Sequence, residues 1–120
     1  MLDANALILL LDQDERVVGR AKQCFEGELC ISAIAYAEIA RGTVTGKPPP
    51  QDLLDRAVES IPVLPFDDQA AKRYSELPFA RHRFDRLIAA HALSLDLTLV
   101  TANVKDFREI SGLKVENWTA

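Results

Sequence analysis

Residues 84–101 read FDRLIAAHALSLDLTLVT, and this stretch decides the fold. Its first part, Phe84–Leu95, is helical in pattern, because apolar residues recur at helical spacing after two charged residues at its start. Its second part, Leu97–Thr101, is a short run of apolar and β-branched residues, which is typical of a buried strand. A helix that leads directly into a buried strand favours a parallel sheet covered by helices.

The same alternation continues on both sides of this stretch. Further strands are predicted at Met1–Asp3, Leu29–Ser32, Val63–Leu64 and Val115–Asn117. Further helices are predicted over Asn5–Leu11, from Asp14 through Phe25, from Ser32 to near Gly42, over Gln51–Ser60 and from Asp67 through Glu76. In the second of these helices, Phe25 is expected on the same apolar face as Val17. The elements predict an α/β fold, with a short parallel sheet between helices, in one domain over residues 1–120.

Composition sets the broad class of protein. The chain has 120 residues and a formal net charge of −4, which argues mildly against binding nucleic acid through phosphate neutralisation alone. A carboxylate-bound metal ion would escape this objection, because it reverses the local charge. Cys24 and Cys30 lack metal-ligand spacing and are expected to be buried thiols. The apolar run Ala6–Leu11 is too short to cross a bilayer, so a cytoplasmic protein without a membrane partner is expected.

Three acidic residues lie where an isolated charge is costly. Asp3 ends the first strand, Glu38 lies beside an apolar helical stripe, and Asp85 opens a nearly apolar helix. Simpler interpretations exist: Asp3 as a helix N-cap, and Asp85 as an acid favoured by the helix dipole. Glu38 could instead form a partly buried ion pair with Arg41. Carboxylates that converge without enough cations favour a divalent metal such as Mg²⁺.

Two further residues follow the Leu97–Thr101 strand. Asn103 lies two residues beyond it, and Asp106 lies three residues later. Both are also common turn residues, which is the simpler interpretation. Because parallel sheets bind ligands at the carboxyl ends of their strands, Asn103 is expected at the same edge as Asp3.

Five segments together resemble the PIN-domain toxins of the VapC type, in the family's order and at similar spacings. They are Met1–Asn5, Ile31–Glu38, Phe84–Leu93, Leu99–Phe107 and Gly112–Trp118. The resemblance spans essentially the whole chain. It implies a PIN-like three-layer α/β/α fold, a Mg²⁺ or Mn²⁺ site and endonucleolytic cleavage of RNA. It also implies a homodimer, and a toxin–antitoxin hetero-oligomer in which a VapB-type antitoxin neutralises the toxin.

By motif match, Asp3, Glu38 and Asp85 take the three acidic positions of the family, and the expected mechanism is metal-assisted phosphodiester hydrolysis. Asp3 and Asp85 would bind the metal most directly, while Glu38, the third acidic position, would orient or activate water. Asn103 and Asp106 would complete the inner or outer shell of ligands, and all five residues are candidate catalytic residues.

The chain departs from the family pattern at three places. Members usually have Thr at the position of Ala4, often have Asp at the position of Asn103, and often carry a glycine-containing loop where this chain has Phe79–Arg83. These departures leave open a weak or degenerate PIN domain that acts as an RNA- or protein-binding module. A receiver-type phosphoryl-transfer domain that uses Asp3 and Lys105 is another alternative, although the spacing fits it only loosely.

Basic residues are concentrated just before the last acidic position. The segment from Lys72 to Arg86 contains five basic and two acidic residues. Arg81, Arg83 and Arg86 are expected to hold an RNA backbone, although a solvated charge run is the simpler interpretation.

The two histidines lie in the same part of the chain. His82 is expected on the surface, with RNA contact or proton transfer as the alternatives. His91 lies in the apolar helix and is expected to be a packed residue that orients its neighbours.

Overall fold

The structure is a computed structural model that describes residues 1–25, 27–78, 81 and 83–120. The described residues form six α-helices, a short 3₁₀ turn and four two-residue strands. The helices are α1 Ala4–Leu11, α2 Glu15–Ala21, α3 Ala33–Val44, α4 Gln51–Ser60, α5 Asp68–Ser75 and α6 Arg83–Ser94, and the 3₁₀ turn is Val104–Phe107. The strands are β1 Ile31–Ser32, β2 Val63–Leu64, β3 Leu99–Val100 and β4 Val115–Glu116.

Leu2 lies at the centre of a parallel sheet. It forms parallel bridges to Ile31 of β1 on one side and to Val100 of β3 on the other. Parallel pairing of β1 with β2 and of β3 with β4 extends the sheet outward. The order across the sheet is therefore β2–β1–Leu2–β3–β4. After Leu2 the chain adds β1 and β2 on one side and then β3 and β4 on the other. The strand order therefore reverses beside Leu2, and parallel sheets bind ligands at such a point.

Two separate apolar clusters cover the two faces of the sheet, because neighbouring strand residues point to opposite faces. Leu2 and Val100 belong to the cluster that α1, α2 and α4 complete. Met1 and Leu99, their neighbours along the chain, belong to the cluster that α6 and the 3₁₀ turn complete. This arrangement confirms the predicted short parallel sheet between helices.

Helix α2 is shorter than the sequence predicts. It ends at Ala21, and 81% of the Phe25 surface is exposed, so the prediction of Phe25 on a buried face is wrong. The N–H groups of Gln23 and Cys24 donate to carbonyls three residues back rather than four. Such tightened bonds close the last turn and carry the chain away from the helix axis.

The starts of three helices, α2, α3 and α5, agree with prediction. Asp14, Ser32 and Asp67 accept hydrogen bonds from backbone N–H groups in the first turns of α2, α3 and α5. Within the described ranges, none of the helices has the length and apolar character needed to cross a membrane.

Candidate functional site

Asp3 lies where the strand order reverses, at the carboxyl end of the central strand, and only 6% of its surface is exposed. Its Oδ1 accepts a hydrogen bond from the Ala6 N–H at 2.8 Å, so Asp3 is also the N-cap of α1. Burial raises the pKa of Asp3, hydrogen bonds donated by the Thr101 hydroxyl and the Ala6 N–H lower it, and the Asp85 charge raises it again. The two predicted roles of Asp3, cap and site carboxylate, therefore coexist in one side chain.

Helices α3 and α6 bring two more carboxylates to this edge. Glu38 lies half-buried in α3, and Asp85 lies in the first turn of α6. Burial raises the pKa of Glu38, and the charges of Asp85 and then Asp3 raise it further. In the described part of the chain, Glu38 makes no ion pair, so the alternative of a pair with Arg41 is not observed. The structure thus brings Asp3, Glu38 and Asp85 within electrostatic reach of one another.

The three carboxylates are the kind of donor set that hard divalent cations prefer, namely several anionic oxygens from separate elements. Among the described residues, however, no three His, Cys, Asp or Glu side chains form a ready-made metal site. The interaction between the carboxylates that the structure shows is electrostatic: in addition to burial, the Asp85 charge raises the pKa of both Asp3 and Glu38. Their role as metal ligands stays a prediction.

A cleft of about 660 Å³ opens beside these carboxylates, and its lining is chemically mixed. Glu38 and Asp85 share it with the guanidinium groups of Arg81 and Arg83 and with the ring of Phe84. Phe84 is 58% exposed, so its ring is accessible to a ligand in the cleft. Anionic oxygens, cations and an aromatic face in one cleft suit a ligand that combines phosphates with flat rings.

Arg86 is separate from this basic surface. Its side chain is only 8% exposed, and its Nη2 donates to Glu109 Oε2 at 3.2 Å. The Nη1 of Arg86 is buried and has no hydrogen-bond partner among the residues that the structure describes. The predicted grouping of Arg86 with Arg81 and Arg83 is therefore corrected, because its charge is directed into the protein rather than into the cleft.

Asn103 and Asp106 lie beyond the same sheet edge, at the start of and within the 3₁₀ turn. Asn103 is exposed, and its backbone N–H donates to Thr101 Oγ1 at 3.0 Å. Thr101 in turn donates to Asp3, so a chain of hydrogen bonds joins the turn to the site. Within the described residues, the side chains of Asn103 and Asp106 make no hydrogen bond to Asp3, and their role in completing the site stays a prediction.

Three polar residues behind the carboxylates were assigned no role in the site or only a packing role. Thr101 holds Asp3, and Ser32 N-caps α3, which carries Glu38. Ser32 Oγ lies 2.8 Å from His91 Nδ1, and both residues are almost fully buried. The prediction that His91 is packed is confirmed. One sequence signal points to Ser32 and Thr101: each is a hydroxyl residue at the carboxyl end of a strand that pairs with Leu2.

The pKa of His91 is lowered, which favours the neutral imidazole. Burial is the main cause, and the Asp67 charge and a hydrogen bond to the Pro65 carbonyl oppose it. His82, whose surface position is a prediction, lies outside the described residues, and so do Phe79 and Ala80.

Comparisons with known proteins agree with this geometry. The family model described as PIN domain matches residues 1–113. The chain is 30% identical to the tRNA(fMet)-specific endonuclease VapC of Shigella flexneri, over 99% of this chain and 97% of that protein. It is also 30% identical to ribonuclease VapC1 of Haemophilus influenzae, with the same coverage. In the crystal structure of VapBC2 from Rickettsia felis bound to a promoter DNA fragment, one chain superposes with a TM-score of 0.82 and 26% identity, covering 98% of this chain and 97% of that one.

Proposed function

Because this chain belongs to the PIN-domain family, we propose that it is a metal-dependent endoribonuclease and the toxin of a VapBC-type toxin–antitoxin pair. Its relatives in Shigella flexneri and Haemophilus influenzae are named as an endonuclease and a ribonuclease. The observation that carries the proposal is the meeting of Asp3, Glu38 and Asp85 at the edge where the strand order reverses, beside a cleft lined by arginines.

Asp3, Glu38 and Asp85 are the residues that would hold Mg²⁺ or Mn²⁺. The donor chemistry fits, since these ions prefer carboxylate oxygens and a cation would relieve the repulsion that raises the pKa of Glu38. When bound, the ion supplies Lewis-acid stabilisation of the negative charge that develops on the phosphate oxygens.

The residues of the chain supply the remaining steps. Glu38, whose pKa is raised, is suited to accept a proton from the attacking nucleophile at its carboxylate. Arg81 and Arg83 bind phosphate groups of the RNA, and the exposed ring of Phe84 offers a surface for a base. The Thr101 hydroxyl orients Asp3.

A Glu38→Gln variant tests this proposal with the least disturbance of the fold, because Glu38 is half-buried and forms no ion pair in the described residues. We expect RNA cleavage in Mg²⁺ to fall by about 100-fold or more, as for loss of a general base. Glu59→Gln is the matched control, since Glu59 is an exposed acid on α4. EDTA should abolish cleavage by the parent protein. Parent-level cleavage by Glu38→Gln, or cleavage that resists EDTA, would contradict the proposal.

The partners are proposed on the same basis. The related Rickettsia felis structure is of VapBC2 bound to a promoter DNA fragment, and we infer that this chain likewise binds a VapB-type antitoxin. From the resemblance to the VapC-type toxins we also infer that it forms a homodimer. Co-expression with the open reading frame next to its gene, followed by size-exclusion chromatography with light scattering, tests both assemblies. A strictly monomeric chain that captures no such partner would contradict them.

A second function, a PIN module that binds RNA without cleaving it, is favoured by one observation. The described residues contain no compact three-residue metal site, and Asn103 adds no charge to the set. The two functions differ in one measurement: the partner-free parent protein in Mg²⁺ or Mn²⁺ either cleaves RNA or only binds it.

A further inference from the structure

We propose that the groove on the opposite side of Glu38 is a second binding arm for the RNA, in which Arg41 and Lys47 hold phosphates beyond the cleavage position. This proposal rests on the proposed ribonuclease function. It adds a site that the motifs of the sequence do not indicate, because neither cation belongs to the basic segment before Asp85.

The groove is continuous with the candidate site. It has a volume of about 300 Å³ and is lined by α1, α3 and the loop after α3, including Asn5, Glu38, Arg41 and Lys47. Glu38 also lines the 660 Å³ cleft that contains Arg81 and Arg83. The two depressions therefore adjoin at Glu38, which lines both of them.

The helix places Arg41 in this groove. Arg41 follows Glu38 by three residues in α3, so the two side chains leave the same face of the helix one turn apart. Thr45, a further turn along, also lines the groove.

Contacts with the same helix position Lys47. Its backbone N–H donates to the Gly42 carbonyl at 2.8 Å. A Cβ built at Gly42 would lie 3.6 Å from Lys47 Cβ and 3.8 Å from Lys47 Cδ, which is ordinary van der Waals contact, so the Lys47 stem lies against α3. Lys47 is exposed and lines the groove beside Arg41.

The charges of Arg41 and Lys47 are available to an external anion. In the described ranges neither residue forms an ion pair, whereas six other basic residues do. Both depressions that Glu38 lines therefore contain two cations, with Arg81 and Arg83 in the cleft and Arg41 and Lys47 in the groove. A single RNA strand, with a phosphate at each nucleotide, matches these two pairs of positive groups once a cation is bound at the carboxylates.

The double variant Arg41→Gln/Lys47→Gln tests the second arm. Lys22→Gln/Arg56→Gln is its control, because Lys22 and Arg56 are exposed and line neither depression. Arg56 Nη2 lies 3.8 Å from Asp52 Oδ2, but both side chains of this pair are largely exposed, so its loss should cost little stability. Each double variant removes two positive charges, so in the Glu38→Gln background it takes the formal net charge from −3 to −5. Binding is measured by fluorescence anisotropy of labelled single-stranded RNAs of increasing length, at several KCl concentrations, in the Glu38→Gln background to prevent cleavage. Circular dichroism and Tm verify folding.

We expect the Arg41/Lys47 variant to bind RNA about 10-fold more weakly at low salt, and its slope of log K against log salt to be less steep by about 1.4. It should also lose the gain in affinity that the Glu38→Gln protein obtains from extra nucleotides on one side of the cleavage position. The control should match the Glu38→Gln protein in all three measurements.

Three results would overturn the second arm. Equal losses in both double variants would mean that only net charge matters. If the Arg41/Lys47 variant binds RNA unchanged but binds the VapB-type antitoxin more weakly, the groove is a docking surface for that protein and not for RNA. If the parent chain neither binds nor cleaves RNA, the ribonuclease function itself fails, and this result is recognised by the parent measurements alone.

Discussion

Asp3 and Glu38 are carboxylates that the fold holds at a cost. The pKa of each is raised, with burial as the largest cause and neighbouring charge as a further one. Thr101 and the Ala6 N–H offset part of this cost for Asp3. Glu38 has no such offset from hydrogen bonds in the described residues. Residues that destabilise the protein in this way are typical of functional sites.

This cost predicts a pH-dependent effect of Glu38→Gln on stability. A group whose pKa is higher in the folded than in the unfolded state stabilises the fold below its unfolded pKa, and the contribution is lost as pH rises through the folded pKa. The free energy of unfolding of Glu38→Gln, minus that of the parent, should therefore grow from about pH 4 to pH 7. Urea unfolding at several pH values measures it, with Glu59→Gln as the control. A difference that shrinks with pH would contradict burial and charge repulsion as the origin of the raised pKa.

The parent, Glu38→Gln and Glu59→Gln proteins also test cation binding without any assay of cleavage. Mg²⁺ or Mn²⁺ that binds only the folded state should raise the Tm of the parent, because binding adds to the free energy of unfolding. The rise should be smaller in Glu38→Gln and unchanged in Glu59→Gln. Equal rises in all three proteins would show that the ions bind elsewhere.

Phe84 and Phe25 form a natural matched pair of exposed aromatic rings. Phe84 is 58% exposed inside the cleft, whereas Phe25 is 81% exposed after α2. Loss of one stacked base costs about 1–3 kcal/mol, so Phe84→Leu should weaken RNA binding by about 10-fold. Phe25→Leu should have no effect. Anisotropy titrations in the Glu38→Gln background compare them, and equal affinities would remove Phe84 from the RNA-binding surface.

At the scale of elements, helix α3 depends on a single buried hydroxyl. Ser32 accepts the Ile34 N–H at 3.1 Å and lies 2.8 Å from His91 Nδ1, so it ties the start of α3 to α6. These two helices carry Glu38 and Asp85, whose separation decides whether they can share a cation. Ser32 therefore acts as a positioning residue rather than a catalytic one.

Ser32→Ala should destabilise the protein and also impair its site. Loss of the cap and of the buried partner of His91 should lower the free energy of unfolding by about 1–3 kcal/mol. Asp14→Ala is the control, since it removes the N-cap of α2 and an ion pair with the exposed Arg16, away from the carboxylates. Both variants should lose stability, but only Ser32→Ala should show a weaker cation-induced rise in Tm. Identical behaviour would leave Ser32 a purely structural cap.

The sequence predicts elements better than it predicts where their side chains point. The bounds of α4 and β2 agree with prediction, because an amphipathic repeat and a run between prolines are local signals. Phe25 and Arg86 differ from prediction because tertiary contacts decide when a helix ends and which partner an arginine finds. The link between Thr101 and Asp3 could not be predicted from spacing, since it depends on which strands are neighbours.

At the scale of the whole molecule, the sheet couples two apolar clusters that have few residues in common. Trp118 lies in the cluster on the α1 face, and Ile88 lies in the cluster on the α6 face. Neighbouring residues of each strand serve opposite clusters, so neither cluster can persist without the sheet that the other supports. The family assignment predicted from five motifs is confirmed.

Ile88→Ala tests the coupling. Truncation of a buried isoleucine should cost about 2–5 kcal/mol. Fluorescence of Trp118, the one tryptophan of the chain, should report the same lowered midpoint as far-ultraviolet circular dichroism, although the mutation lies on the opposite face. An unchanged midpoint by fluorescence alone would mean that the two clusters unfold independently.

Leu2 pairs in the middle of the sheet although it precedes every other pairing residue in the chain, and this has a consequence for synthesis on the ribosome. The neighbour on its far side, Val100, emerges long after it during translation. Until then, the strand that pairs with Leu2 on one side is missing beside Asp3 in the nascent polypeptide. A nascent chain that lacks Val100 therefore cannot complete the pairing on that side of Leu2, and the edge that carries Asp3 is finished only late in synthesis.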